Sequence, residues 1–176
     1  MKDGHGFRRV VSVSKISDAG LQQTVVARAE EFPAIAQYLD LAGVKSLKGE
    51  FVLQRSHGKG VRLTGSVIAD VVQTCVVTLD PVDAHVEGNF ERQFLPAEKL
   101  KTAAKDETEV FVDPTAEDPP EPLGHEIDLG EVLIEELALN LDPYPRKAGV
   151  AYQGEADAAA RPNPFAVLAK LKPKKP

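Results

Sequence analysis

Glu50-Phe51-Val52-Leu53-Gln54-Arg55, then Ser56-His57-Gly58-Lys59-Gly60, then Val61-Arg62-Leu63-Thr64-Gly65-Ser66-Val67: these three consecutive pieces decide the fold. The outer two read as strands, rich in β-branched and aromatic residues. The polar middle piece holds two glycines able to take positive φ, so it reads as the turn of an antiparallel hairpin. Downstream the same grammar continues. Residues 68–79 are rich in Val and Ile, Asp80-Pro81 marks a turn, and residues 82–94 carry Val86, Phe90 and Phe94. Gly88 inside that last stretch marks a bulge or bend. Strands joined by short turns predict a meander rather than crossover units.

Upstream, residues 7–14 alternate Val11 and Val13 with Ser12 and Ser14, the period of a half-buried strand. Residues 24–27 give a second short strand. The period then changes: Phe32, Ile35, Ala36 and Leu39 fall on one helical face, Pro33 suits the first turn, and Gly43 suits the stop. Towards the C-terminus, Asp128 precedes an apolar run and Glu131 lies three residues on, an acidic capping box. Ile127 and Val132 hold the flanking hydrophobic-staple positions. That helix runs through Leu133, Leu137 and Leu141 to Asp142-Pro143. Asn163-Pro164 opens a third helix, with Phe165, Leu168 and Leu171 on one face. The expected fold is α+β, a single domain over residues 1–176. It is a twisted antiparallel meander, with a partly closed barrel as its most curled form. Three packed helices are expected near residues 32–42, 128–141 and 164–172.

Charge divides the chain. The net charge is −6, yet residues 1–100 balance 12 acids with 12 bases, residues 101–136 carry a net −10, and residues 137–176 a net +4. Residues 100–122 read as an acidic, proline-rich loop around the short apolar run Val110-Phe111-Val112. Residues 173–176 form a basic tail. A pI of about 5.3 disfavours a broad nucleic-acid surface, which needs clustered Lys and Arg. No apolar run approaches the roughly 20 residues of a membrane span, and the N-terminus lacks a secretory apolar stretch. A cytoplasmic protein that does not engage membranes is expected. Its single Cys75 agrees with a reducing compartment.

Catalytic signatures do not emerge. The sequence holds no GxSxG, HExxH, Walker or GxGxxG motif. His5, His57, His85 and His125 lack the spacing of a helical metal pair. Cys75 lies in a valine-rich stretch that suits an inert buried thiol better than a nucleophile. Glu131, Glu135 and Glu136 read first as the solvated face of the second helix and second as a protein-binding surface. Lys170, Lys172, Lys174 and Lys175 read either as a solubilising end or as RNA-phosphate contacts. No catalytic residue, cofactor or metal ligand is assigned.

Three stretches together resemble a known family. Leu63-Thr64-Gly65-Ser66-Val67 leads to Thr74-Cys75-Val76-Val77-Thr78-Leu79-Asp80-Pro81. Ile127-Asp128-Leu129-Gly130-Glu131 leads through Glu135-Glu136-Leu137-Ala138-Leu139 to Pro143-Tyr144-Pro145. Asn163-Pro164-Phe165-Ala166-Val167-Leu168-Ala169-Lys170-Leu171-Lys172 follows. In order and spacing they resemble the YceD family of bacterial large ribosomal RNA subunit accumulation proteins, over roughly residues 7–172. Many members carry a second cysteine where this chain has Thr78, and another after the Pro-x-Pro exit, where it has Arg146 and Lys147. A metal held by those cysteines in relatives would lack its ligands here. The resemblance implies a non-enzymatic factor for accumulation or maturation of 23S ribosomal RNA during large-subunit assembly. Its expected partner is the ribosomal RNA precursor or a large-subunit ribosomal protein. The acidic 101–136 segment favours the basic protein. Two alternatives remain: an adaptor with no ribosomal role, and a carboxylate-metal hydrolase built from Asp113, Asp118, Glu121, Glu126 and Asp128.

Overall fold

A computed structural model describes residues 6–56, 60–98 and 120–151. Strands β1 (Val10–Ser12), β2 (Leu21–Val26), β3 (Gly43–Ser56), β4 (Gly60–Thr74), β5 (Pro81–Pro96), β6 (Glu121–Leu123) and β7 (Glu126–Asp128) are joined by helices α1 (Phe32–Tyr38) and α2 (Leu129–Asn140). The main sheet has the order β2-β3-β4-β5-β6, and β1 pairs with β7 in a second, two-stranded sheet. The stretches read as residues 50–55 and 61–67 do form the central hairpin, and both strands run longer than expected. The two pieces at 61–67 and 68–79 are one strand to Thr74.

Three expectations are overturned. Among the described residues the sheet is open and no barrel closes: β2 and β6 are its two ends. The described residues hold two helices rather than three, and residues 164–172 lie outside them. The pattern is not a pure meander, because β6 joins β5 in parallel, Phe94 facing Glu121. A three-residue strand carries no periodicity, so the sequence gives no warning of it. α1 also stops earlier than expected. Asp40 takes φ 54°, and the Leu41 N–H reaches back to the Ala36 carbonyl at 2.9 Å, closing the helix with an aspartate where Gly43 had been expected.

One face of the sheet forms the core. Leu47, Phe51 and Leu53 of β3, Val61, Leu63, Val67, Ala69 and Val71 of β4, and Val86 and Phe94 of β5 are all buried. Strict alternation puts their polar neighbours on the opposite face. α2 lies over the apolar face and buries Leu129, Val132, Leu133, Ile134 and Leu137. Gly49, Val67 and Gly88 stand opposite one another across β3, β4 and β5. The two glycines let the helix come close. A Cβ on Gly49 would stand 2.7 Å from Leu133 Cδ1, and one on Gly88 would strike the Asn140 amide. Gly88 therefore makes room rather than a bulge; the irregular register falls between Val44 and Ser46. Phe51 and Phe90 meet edge to face one row further on, with centroids 5.8 Å apart.

Candidate partner-binding site

The start of α2 is fixed by the chain's N-terminal segment. Val10 pairs with Asp128 and Ser12 with Glu126, so β1 delivers Arg8 and Arg9 to the helix N-terminus. Asp128 is the expected cap. Its Oδ1 accepts from the N–H groups of Gly130 at 3.0 Å and Arg9 at 2.8 Å, and its Oδ2 from Arg8 Nε at 3.0 Å. Burial pushes the Asp128 carboxyl up, but these donors outweigh it and hold it below the usual aspartate range. Arg9 turns away, gripping both oxygens of Glu31 at 2.8 and 2.9 Å with its guanidinium 4.5 Å above the Phe7 ring.

Arg92 is the centre of the site. In β5 it stands opposite Leu63, on the face whose other positions are apolar. Its Nε and Nη2 both donate to Glu136 Oε1, at 2.8 and 2.7 Å. Its Nη1 donates to Glu135 at 2.6 Å and to Glu121 at 3.2 Å. Burial lowers the Arg92 pKa, yet the carboxylates of Glu135 and Glu136 win and raise it, so the guanidinium stays charged. Glu136 is 6 % exposed. The reading of all three helical glutamates as a solvated face is therefore wrong for Glu136, which anchors α2 to the sheet. Glu131 is exposed and Glu135 half-exposed, as that reading has it.

Around this knot lies a concave pocket of about 240 Å³, lined by Arg92 and by Glu121, Glu126, Asp128, Glu131 and Glu135. Five carboxylates face one guanidinium there, with Arg8 at the edge, so the pocket is acidic. Such a field attracts a cationic side chain and repels phosphate. Of the carboxylates suggested for a metal-dependent hydrolase, Glu121 is paired with Arg92 and Asp128 with Arg8, and Asp113 and Asp118 lie outside the described residues. Among the described residues, no group of three His, Cys, Asp or Glu side chains is arranged to hold a metal ion. Lys170, Lys172, Lys174 and Lys175 lie outside the described residues too. The structure thus joins the glutamate candidates to each other and leaves the lysines untested.

Two further constellations could suggest chemistry. On the uncovered face Ser46 Oγ donates to Asp70 Oδ2 at 2.8 Å, and His85 Nδ1 meets Asp70 Oδ1 at 2.8 Å. The aspartate stands between the other two, whereas a nucleophilic triad needs the imidazole in the middle. The second is Cys75, which is buried. The Thr78 hydroxyl, with the N–H groups of Lys147, Thr78 and Val77, converges on its Sγ and lowers the thiol pKa to about 6. Val76 N–H donates to the Pro145 carbonyl at 2.9 Å, and Lys147 Nζ pairs with Asp80 at 3.2 Å. The loops that resembled a cysteine-rich family motif are thus tied together by hydrogen bonds to one sulfur.

Arg92 is the functional residue that reading the sequence missed. Its signal was present: a charged residue in phase with Val86, Phe90 and Phe94 must find a buried partner. No helix among the described residues is long and apolar enough to cross a membrane. A family model described as large ribosomal RNA subunit accumulation protein YceD matches residues 63–172. Comparisons with curated proteins and with solved structures give no match.

Proposed function

The chain belongs to the YceD family of large ribosomal RNA subunit accumulation proteins, and from that premise we propose that it is a non-catalytic factor holding a basic protein of the assembling large subunit. A general role in ribosome biogenesis follows from the membership itself. The choice of a basic protein as direct partner rests on one observation: the acidic pocket around Arg92, with Glu126 and Glu131 exposed at its rim. A polyanion such as naked RNA is repelled there, while a lysine- or arginine-bearing surface is steered in. Arg92 keeps the carboxylates in place without cancelling their charge.

The test is complementation. Cells depleted of the protein should lose large-subunit ribosomal RNA relative to small-subunit RNA, and the wild-type chain should restore the ratio. A chain carrying Glu126→Lys and Glu131→Lys, both exposed positions, should accumulate normally yet fail to restore it. Full rescue by that variant would remove the acidic pocket from the mechanism.

A further inference from the structure

Seven large apolar side chains stand exposed among the described residues, and five of them, Tyr38, Val76, Leu79, Leu139 and Tyr144, belong to segments that meet at one end of the sheet. There the end of α1, the end of β4 and the end of α2 converge. Leu39, Leu41, Ala138, Leu141 and Pro145 share a groove of about 470 Å³ with Gln73. Exposed apolar side chains gathered at one end of a fold mark an interaction site more often than scattered single residues do.

Gln73 lines the groove from the end of β4. Its side chain is 6 % exposed. Its Nε2 donates to the Asp142 carbonyl at 2.9 Å, which fixes the orientation of the amide. Its Oε1 is buried and has no hydrogen-bond partner among the described residues. A buried carbonyl oxygen without a donor is destabilising, and such groups are few in folded proteins. The groove offers an apolar wall and, at the rim, the exposed carboxylates of Asp40 and Asp142.

We propose that this groove docks a segment of a partner protein that sets an apolar anchor beside a lysine or arginine. The apolar anchor covers Leu39, Leu41 and Leu141, and the cation meets Asp40 and Asp142. A nucleic acid would bring phosphate against those two carboxylates. The inference shares with the proposed function only the basic character of the partner. The groove lies at the far end of α2 from the acidic pocket, about 15 Å along the helix axis. The two readings therefore fail separately: Glu126→Lys with Glu131→Lys leaves binding in the groove unchanged.

The experiment titrates the isotopically labelled full chain with an acetylated, amidated Lys-Leu-Leu-Lys-Leu-Lys peptide, followed by nuclear magnetic resonance. Saturable shifts are expected at the amides of Leu39, Thr74, Ala138 and Leu141 and at the Gln73 side-chain amide. The decisive variant is Asp40→Asn with Asp142→Asn, both at exposed sites and both able to keep their local backbone geometry, which should weaken binding about tenfold or more. Equal binding of the variant overturns the proposal, as does equal binding of a Glu-Leu-Leu-Glu-Leu-Glu peptide. Shifts of the same amides with protein concentration alone would assign the groove to a second copy. The same shifts on adding oligouridylate would assign it to RNA. Either of those results also overturns it.

Discussion

The middle of the sheet and its β4 end treat buried polar groups in opposite ways. In the middle, Arg92 is covered by α2, and each of its three nitrogens has a carboxylate partner, with Glu136 buried beside it. At the β4 end, Gln73 is equally buried but only half of its amide is satisfied among the described residues, and the leucines beside it, Leu39, Leu41 and Leu141, are only half-buried. The first region is complete within one chain. The second has the composition of a core edge whose other half is missing. Polar groups sealed inside a fold are paired there as a rule, and a buried acceptor left unmet is a local cost that the rest of the fold offsets.

The largest expected effect breaks the complete region. Arg92→Ala leaves the Glu136 carboxylate buried without its cation, and should cost about 3–5 kcal/mol in urea unfolding. Replacing the pair together, Arg92→Met with Glu136→Leu, should recover most of that loss, because two apolar groups of similar shape need no partners. A single variant as stable as the wild type would mean that water already reaches Glu136. Next in size is Gly49→Ala. The new methyl would press on Leu133 and Phe51, 2.7 and 2.8 Å away, and about 1–3 kcal/mol should be lost. Gly43→Ala, in the same strand but near the β4 end, meets nothing closer than 3.8 Å and should be close to neutral. Similar losses for both would show that strand propensity rather than helix approach governs these glycines.

The same contrast explains what could be read from the chain beforehand. The central hairpin, β5, the Asp128 cap and the length of α2 rest on local signals: alternation, turn glycines and a capping aspartate within one or two turns of what they fix. Arg92 stood in phase with the apolar positions Val86, Phe90 and Phe94, but its partners Glu121, Glu135 and Glu136 come from segments 29 to 44 residues away. Only the crossing of α2 over the Gly49–Gly88 row brings them together. The β5–β6 parallel pairing and the orphan oxygen of Gln73 are products of the same assembly and leave no periodic trace. The end of α1 was misplaced for a different reason. Aspartate tolerates the left-handed conformation well enough to replace the glycine that a stop signal leads one to expect.

A smaller effect sharpens the β4 end. Leu79 holds φ 61° while 77 % exposed, so its side chain returns little for the strain of the left-handed region. Leu79→Gly relieves that strain and adds freedom to the unfolded chain, which offsets part of the gain. A net stabilisation of about 0.5 kcal/mol is expected from thermal and urea unfolding together. A loss instead would mean that Leu79 is buried in solution by a second molecule, and dilution of the sample would then reverse it.

The last effect is in pH dependence, and it sets the two regions apart by the kind of group that titrates. Near the middle, Asp128 has a depressed pKa, so its contribution is present above the ordinary aspartate value of 3.8 and fades only as the pH falls through the lower folded value. At the β4 end the titrating group is Cys75, at about 6 in the folded chain against 9.0 unperturbed. Between those values the unfolded chain binds more protons than the folded one, so stability should rise with pH from about 6 to 9. The contribution is lost as the pH falls through about 6. Thr78→Val removes the hydroxyl that contributes most to the shift, and should flatten that rise while leaving the acid limb below pH 4 unchanged. Urea midpoints across both limbs, with thiolate absorbance of the folded protein as the direct readout, decide it. A thiol that ionises near its unperturbed value in the wild-type protein would show that the converging donors do not hold the loop around the sulfur. The tie between residues 75–80 and the segment around Pro145 and Lys147 would then rest on the Val76 and Lys147 contacts alone.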